Sequence, residues 1–165
     1  RSPLEFSRVT SGFSTGRLHP VLKTWRAHKG VDYGAPTGTR VRATGDGVVE
    51  TAGWQNDYGN AVVLRHKGGI TTLFAHLSRI GAGIRRGARV SQGDVIGYVG
   101  ATGLATGPHL HYEFRVGNVH RNPLKMVFPS AEPVAAARMP AFRDQTGPYV
   151  AQLEQLRSVS IAALD

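Results

Sequence analysis

The sequence predicts an all-β domain, an antiparallel β-sandwich or two-sheet fold, followed by a C-terminal linker and helix. Short segments rich in β-branched and aromatic residues recur at regular intervals, with glycine-containing turns between them. Twenty of the 21 glycines precede residue 130, as expected of short strands joined by tight turns. After Pro123 the composition changes, and four prolines fall between residues 129 and 148.

The segments with strand character can be placed in order. Residues 59–66 and 70–77 predict a hairpin across Lys67-Gly68-Gly69. The other predicted elements are a strand, turn and strand over residues 38–50, a strand pair around Gly93-Asp94 over residues 87–99, and a strand with period-two alternation over residues 109–116.

A weak internal repeat links two of these segments. Gly38-x-Arg-Val is followed by Gly45-Asp46, and Gly87-x-Arg-Val is followed by Gly93-Asp94 with one residue fewer between them. We expect the same turn to be used twice within one sheet system. Biotin- and lipoate-carrier domains show similar repeats, but they need an attachment lysine at a hairpin tip, and no lysine lies near either Gly-Asp pair.

The C-terminal part predicts a linker and then a helix. Pro129, Pro133, Pro140 and Pro148 with several alanines indicate an extended segment over residues 129–148. Pro148 suits a first helical position, and an apolar stripe at helical spacing predicts a helix over residues 149–163. The predicted division is a main domain over residues 1–128, an extended segment over 129–148 and a helical segment over 149–165.

Composition limits the possible functions. The chain has no cysteine, so disulfides and thiolate metal sites are excluded, and any metal must bind His and carboxylate. Its net charge of +9 favours a polyanionic partner such as nucleic acid, anionic lipid or an acidic cell-wall polymer. Because no helix-turn-helix, zinc-finger or RNA-recognition signature is present, nucleic acid is not expected. No apolar run reaches the roughly 18–20 residues that cross a membrane, and no signal sequence is visible.

Two local patterns point to a metal site. In His109-Leu110-His111, the two imidazoles of a strand project to the same face. In His28-Lys-Gly-Val-Asp32, the spacing places an imidazole and a carboxylate on one side of an extended or turned segment. Surface histidines or a local His–Asp hydrogen bond would explain each pattern alone. Together they supply the nitrogen and oxygen ligands that zinc accepts, with one position open for water. The residues alone do not decide whether His109 or His111 is the ligand.

A catalytic zinc on these residues would activate water and polarise a carbonyl. An imidazole that is not a ligand could then transfer protons or stabilise an oxyanion. These patterns therefore predict metal-assisted hydrolysis.

The ordered motifs over residues 8–126 resemble the lysostaphin-type zinc metallopeptidases, which cleave peptide cross-links of bacterial peptidoglycan. The resemblance rests on these segments: His28-x-x-x-Asp32 followed by Tyr33-Gly34-Ala35-Pro36, then Gly45-Asp46-Gly47, Gly59-Asn60-x-Val62, Ala75-His76-Leu77, Gly93-Asp94-x-Ile96-Gly97, Thr106-Gly107-Pro108-His109-Leu110-His111-Tyr112-Glu113 and Asn122-Pro123-Leu124. It implies a zinc-dependent endopeptidase with one Zn²⁺ per chain.

The resemblance also implies a role for each motif residue. His28, Asp32 and His111 would be the zinc ligands, and His76 and His109 would be catalytic. Some relatives that have lost ligands activate cell-wall amidases instead. All five residues are present here, so this alternative is disfavoured.

The segment Arg17-x-His19-Pro20 resembles the Gram-negative murein DD-endopeptidase branch, which implies cleavage between D-alanine and meso-diaminopimelate. Candidate substrate-groove residues are His19, Arg26, Tyr58 and Asn60. We expect His66 to be structural and His120 to face solvent.

The resemblance further implies a periplasmic or secreted protein, a monomer, with peptidoglycan as its partner. Relatives often carry an inhibitory N-terminal domain, which is not part of this sequence, so an open cleft is expected.

Overall fold

The computed structural model describes residues 2–5, 7–18, 25–126 and 134–162, without the side chains of residues 17, 18, 25, 26 and 156–162. The chain divides into two compact units, Arg1–Met126 and Val127–Asp165. Strands make up the first unit, and one long helix dominates the second. The predicted all-β, antiparallel fold with a C-terminal helix is confirmed.

The first unit contains twelve described strands. They are β1 (Arg8–Ser11), β2 (Ser14–Leu18), β3 (Trp25–His28), β4 (Val31–Gly34), β5 (Arg40–Arg42), β6 (Gly47–Trp54), β7 (Asn60–Arg65), β8 (Ile70–Ile80), β9 (Arg89–Val90), β10 (Val95–Val99), β11 (His109–Val116) and β12 (Val119–Arg121). Short 3₁₀ turns lie at Asn56–Tyr58, Lys67–Gly69 and Pro123–Lys125.

Ten of these strands form one antiparallel sheet, in which seven follow the order β1-β4-β11-β8-β7-β6-β9, β12 pairs with β11, and β10 joins β5 to β8. Strands β2 and β3 form a separate hairpin. The eleven-residue strand β8 joins two parts of the sheet. Its first part pairs with β7 and β11, and its end pairs with β10, which in turn pairs with β5. The main apolar core has Phe74, Leu64, Leu77 and Ile96 among its largest fully buried side chains, and a second, smaller cluster is formed by Ala61, Val63, Leu73 and Ala75.

The predicted period-two alternation on β11 is confirmed. Leu110, Tyr112 and Phe114 belong to the apolar core. His111 and Glu113 project from the opposite face of the same strand, which we call the outer face. The strand pairings of β11 with β4 and β8 therefore place polar side chains from three strands next to one another.

The internal repeat is visible in the hydrogen bonds. The Gly38 amide donates to the Val99 carbonyl, and the Gly87 amide donates to the Val49 carbonyl, both at 2.8 Å. The two glycines have nearly equal positive φ angles, 89° and 85°, which favour glycine.

The predicted pairing of the two strands within residues 87–99 is wrong. Strand β9 pairs with β6, and β10 pairs with β5 and β8. The reason is that each repeat pairs its strands with those of the other repeat, so the Gly-Asp turn does not close a hairpin.

The extended segment predicted up to residue 148 is wrong for its last part. A 3₁₀ turn covers Ala136–Arg138, and helix α1 covers Met139–Ala162. Pro140 lies in the first turn, where its missing N–H removes no helical hydrogen bond. Pro148 lies inside the helix instead of starting it, at a typical cost of about 3 kcal/mol. Pro129 and Pro133 lie outside the described residues. Among the helices described, none combines the length and apolar character needed to span a bilayer.

Candidate metal centre

Three strands bring the predicted metal ligands together. Strand β11 pairs with β4 so that His111 lies opposite Asp32. His28 ends strand β3, and the turn through Gly30 leads directly into β4. A Cβ atom on Gly30 would lie 2.6 Å from the Tyr112 carbonyl oxygen and 2.7 Å from the His111 ring. Glycine is therefore required where this turn crosses β11.

The three side chains converge on one small volume. His28 Nε2 lies 3.0 Å from Asp32 Oδ1 and 3.2 Å from His111 Nδ1, and His111 Nδ1 lies 2.8 Å from Asp32 Oδ1. His28 and His111 are buried, at 8% and 7% exposure. Within the described residues, these three form the one group of His, Asp and Glu side chains with the spacing of a metal site.

The hydrogen bonds around the ring nitrogens decide which atoms could bind a metal. His28 Nδ1 lies 2.7 Å from the Gly12 carbonyl, and because a carbonyl only accepts, Nδ1 carries the proton. Its Nε2 is then bare in the neutral ring and faces Asp32. His111 lies between two carboxylates, with Nδ1 2.8 Å from Asp32 Oδ1 and Nε2 3.2 Å from Glu113 Oε1, so Nδ1 is bare when the single proton of the neutral ring is on Nε2.

With the His111 proton on Nε2, two bare imidazole nitrogens and a carboxylate oxygen point at one another. Three lone pairs at about 3 Å require a cation between them, either a proton or a metal. Zinc suits this set because it binds imidazole nitrogen and carboxylate oxygen. The residues present thus fit the metal that the sequence motifs imply.

The protonation of the metal-free site follows from the same contacts. Burial opposes the charge on Asp32, but hydrogen bonds and charges from His111 and His28 outweigh it and lower its pKa. Burial also disfavours a charged His111, yet its hydrogen bonds to Asp32 and Glu113 raise its pKa overall. A proton on His111 thus occupies the position that a metal would take.

The two predicted catalytic histidines flank this group. His76 Nδ1 lies 2.8 Å from the Thr102 carbonyl, and His109 Nδ1 lies 2.8 Å from the Gly107 carbonyl. Both rings therefore carry their proton on Nδ1 and leave Nε2 available. The ring centroids are 4.7 Å apart, and His109 Nε2 lies 3.9 Å from Asp32 Oδ1.

His76 adopts a strained backbone conformation. Its φ is 59°, which is uncommon for a residue other than glycine and concentrates at functional sites. Burial is the main reason that its pKa is lowered to about 4; the charges of His109 and His111 act in the same direction, and the bond to Thr102 opposes them. His76 is therefore neutral at neutral pH.

Glu113 is a site residue to which the sequence patterns assigned no role. Its side chain is only 1% exposed. It accepts hydrogen bonds from the Tyr58 hydroxyl at 2.7 Å, from Arg115 Nε at 3.0 Å and from His120 Nε2 at 3.0 Å, as well as from His111. Burial raises the pKa of Glu113, but the bonds from His111, Tyr58 and Arg115 prevail and lower it to about 2. The alternation of β11 places Glu113 on the face of His111 and could have revealed it.

The contact of His120 with Glu113 corrects the expectation that His120 faces solvent. Its ring is about three-quarters buried, and burial lowers its pKa. His66, by contrast, has the structural role expected of it: Nδ1 donates to the Asp46 carbonyl, and Nε2 lies 2.8 Å from Thr72 Oγ1.

The four groove candidates have different environments. The Tyr58 hydroxyl is occupied by Glu113, and burial together with that carboxylate raises its pKa. The Asn60 backbone N–H donates to Thr102 Oγ1 at 3.0 Å, and its side-chain amide donates to the Ser78 carbonyl at 3.5 Å. Arg26 lies on β3, but its side chain is outside the description, and His19 is outside the described residues. A substrate contact for each of the four stays a prediction.

The chain is similar to known proteins over most of its length. The family model described as Peptidase family M23 matches residues 26–123. The chain is 45% identical over 159 residues, 96% of its length, to the DD-carboxypeptidase/endopeptidase Mpg of Neisseria meningitidis, and covers 36% of that protein. It is 48% identical over 132 residues, 80% of its length, to the peptidoglycan DD-endopeptidase ShyC of Vibrio cholerae, and covers 30% of that protein.

Among solved structures, a zinc-containing peptidase from Vibrio cholerae aligns with a TM-score of 0.70 at 36% identity. The alignment covers 77% of this chain and 39% of that one. The chain spans about a third of the length of the curated relatives it matches.

Proposed function

The chain belongs to peptidase family M23, and from that membership we propose that it hydrolyses the peptide cross-links of bacterial peptidoglycan as a zinc-dependent endopeptidase. The observation that carries the proposal is the convergence of His28 Nε2, His111 Nδ1 and Asp32 Oδ1, three lone pairs within 3.2 Å of one another. Two further imidazoles with available Nε2 atoms lie beside them.

One Zn²⁺ per chain would be held by His28, Asp32 and His111. A zinc ion in such a site supplies Lewis acidity, which lowers the pKa of water to about 7 and polarises a carbonyl. The aspartate contributes the negative charge of the ligand set. The Gly12 carbonyl and Glu113 fix the ring orientations of His28 and His111 through their second nitrogens.

His76 and His109 would handle protons and charge during hydrolysis. Because Nδ1 of each ring is tied to a backbone carbonyl, Nε2 of each is the atom that can accept or donate a proton at the scissile peptide. Neutral His76 is prepared to accept a proton or to receive a hydrogen bond at neutral pH. The pair therefore provides proton transfer and stabilisation of the tetrahedral intermediate.

The bond we propose is that between D-alanine and meso-diaminopimelate of a neighbouring stem peptide. The name of ShyC as a peptidoglycan DD-endopeptidase supports it, as does the endopeptidase activity named for Mpg. The net charge of +9 suits an enzyme that works on an anionic cell-wall polymer. Such a substrate places the protein in the periplasm or outside the cell, and we propose that it acts as a monomer.

The test is digestion of purified Gram-negative peptidoglycan with the zinc-loaded protein, with and without a chelator, followed by mass analysis of the released muropeptides. We expect chelator-sensitive loss of cross-linked dimers. His66→Gln is the matched control, since it removes a histidine whose hydrogen bonds join other parts of the sheet. Loss of terminal D-alanine without cleavage of dimers would replace the endopeptidase with a carboxypeptidase. If the protein neither binds zinc nor cuts, the proposal fails and a non-enzymatic activator takes its place.

A further inference from the structure

Behind the metal centre, one carboxylate collects four donor side chains. Glu113 Oε1 accepts from the Tyr58 hydroxyl at 2.7 Å and lies 3.2 Å from His111 Nε2. Glu113 Oε2 accepts from both Nε and Nη2 of Arg115 and lies 3.0 Å from His120 Nε2. Oε1 thus faces the candidate metal ligand His111, and Oε2 faces the cationic side chain of Arg115. Glu113 is only 1% exposed, so the carboxylate is shielded from solvent.

His111 is contested by two carboxylates. Asp32 Oδ1 lies 2.8 Å from Nδ1, and Glu113 Oε1 lies 3.2 Å from Nε2. A neutral imidazole carries one proton, so it can donate to only one of them. If the proton is on Nδ1, it points at Asp32 and blocks the metal position. If the proton is on Nε2, Nδ1 is bare and the metal position is open.

From this geometry we infer that Glu113 is the positioning residue that keeps the His111 proton on Nε2, so that Nδ1 is free for a metal. This inference rests on the proposed zinc function. Glu113 acts through His111 and touches neither metal nor substrate.

The other three donors hold Glu113 in place. Arg115 forms two bonds to Oε2, which compensates the buried negative charge and prevents the carboxylate from turning. His120, on the neighbouring strand β12, approaches the same oxygen. The Tyr58 hydroxyl donates to Oε1, the oxygen that faces His111.

The same arrangement predicts how Glu113→Gln would behave. Arg115 and His120 are donors, so they would select the amide oxygen of Gln. The amide NH₂ would then face His111 Nε2, which must become the bare nitrogen. The His111 proton would move to Nδ1, against Asp32, where it competes with zinc. The substitution preserves shape while reversing the tautomer.

The test compares zinc affinity and the His111 tautomer in wild type, Glu113→Gln and Tyr58→Phe. Zinc affinity is measured by competition with a chromophoric chelator, and the protonation of His111 Nε2 by ¹⁵N NMR of zinc-free protein at a pH high enough that the His111 ring is neutral. For Glu113→Gln we expect zinc affinity to fall about 10- to 100-fold, the range typical of a lost partner to a ligand histidine, and the Nε2 proton to be lost. Tyr58→Phe should fall in between.

His66→Gln is the control for general destabilisation, since its hydrogen bonds involve neither the ligands nor Glu113. It should lower the Tm without weakening zinc binding. The inference is overturned if Glu113→Gln binds zinc within about twofold of wild type, if His111 keeps its Nε2 proton, or if wild type does not bind zinc. Should Glu113→Gln not fold, Tyr58→Phe decides, and unchanged affinity there overturns the inference. If zinc affinity and the NMR result are as expected but the protein does not cleave peptidoglycan, the proposed function is contradicted and the inference about Glu113 stands.

Discussion

Strand β11 allows the two faces of one sheet to be compared residue by residue. On the inner face, Leu110 and Phe114 are 0% and 4% exposed; on the outer face, Glu113 and His111 are 1% and 7% exposed. The side chains on the two faces of β11 are therefore about equally buried, but those on the inner face are apolar and those on the outer face are polar or charged. The side chains of β11 on the inner face are held by apolar contact, and those on the outer face by hydrogen bonds to donors and acceptors, beside a small apolar cluster that includes Leu73 and Ala75. We expect substitutions on the inner face to cost stability and substitutions on the outer face to cost metal binding or turnover.

Asp32→Ala should have the largest effect. It removes the oxygen ligand and the negative charge between two imidazoles, so zinc binding and hydrolysis should both be abolished. The apolar core is untouched, so the zinc-free variant should still unfold cooperatively. Zinc content of the purified protein and circular dichroism check this prediction. Full zinc stoichiometry in this variant would contradict the ligand assignment.

His109→Ala should separate metal binding from turnover. The ring is not among the three converging ligands, so zinc affinity should stay close to that of wild type. Loss of a proton-transfer group typically lowers turnover by about 10²–10⁴-fold. Muropeptide release by zinc-loaded protein provides the measurement. An equal loss of zinc and activity would instead make His109 a ligand.

Phe74→Ala tests the inner face. Its ring packs against Tyr112 with centroids 5.2 Å apart, and its side chain is fully buried. Removing it should lower the free energy of unfolding by about 3–5 kcal/mol, measured by urea denaturation of zinc-free protein. The folded fraction should bind zinc normally. A selective loss of zinc affinity with little loss of stability would break the distinction between the two faces.

The outer face should also make stability depend on pH. The folded-state pKa of His76 is about 4, below its ordinary value of 6.5, so the unfolded chain binds more protons between these values. Stability is then fully present above pH 6.5 and is lost as the pH falls towards 4. Between pH 6.5 and 4.5 this group should contribute a loss of about 2 kcal/mol.

The comparison with His76→Asn isolates that contribution. Asparagine tolerates a positive φ and can donate to the Thr102 carbonyl, but it does not titrate. Zinc-free His76→Asn should lose less stability than wild type over the same pH range. Identical pH profiles for the two proteins would show that His76 titrates with its ordinary pKa.

The sequence predicted those contacts of the outer face that depend on the spacing of residues within one segment. Period-two alternation placed His109 and His111 on one face of a strand, and the four-residue spacing placed His28 beside Asp32. It did not decide from the residues alone which histidine binds a metal, because that depends on the partners of each ring nitrogen. The structure favours His111, whose Nδ1 lies 2.8 Å from Asp32 Oδ1 while His109 Nε2 lies 3.9 Å from it, and these distances require three-dimensional placement.

Other features depended on non-local pairing. The exchange of β9 and β10 between the two repeats could not be predicted from strand character, because adjacent strands joined by a Gly-Asp turn usually form a hairpin. The helix boundary was missed for another reason: Pro140 and Pro148 both suit a helix start, and composition did not show which one occupies it. Only Pro140 lies in the first turn of the helix.

The exchanged repeats have a consequence for how the chain reaches its folded state. The Gly38 amide donates to the Val99 carbonyl, 61 residues along the chain, and the Gly87 amide donates to the Val49 carbonyl, 38 residues back. Because each repeat pairs its strands with those of the other, we expect these contacts to form only after distant segments have met. A chain cut at the exposed Gly68-Gly69 turn should therefore yield two fragments that stay unstructured when separate and recover the fold when mixed.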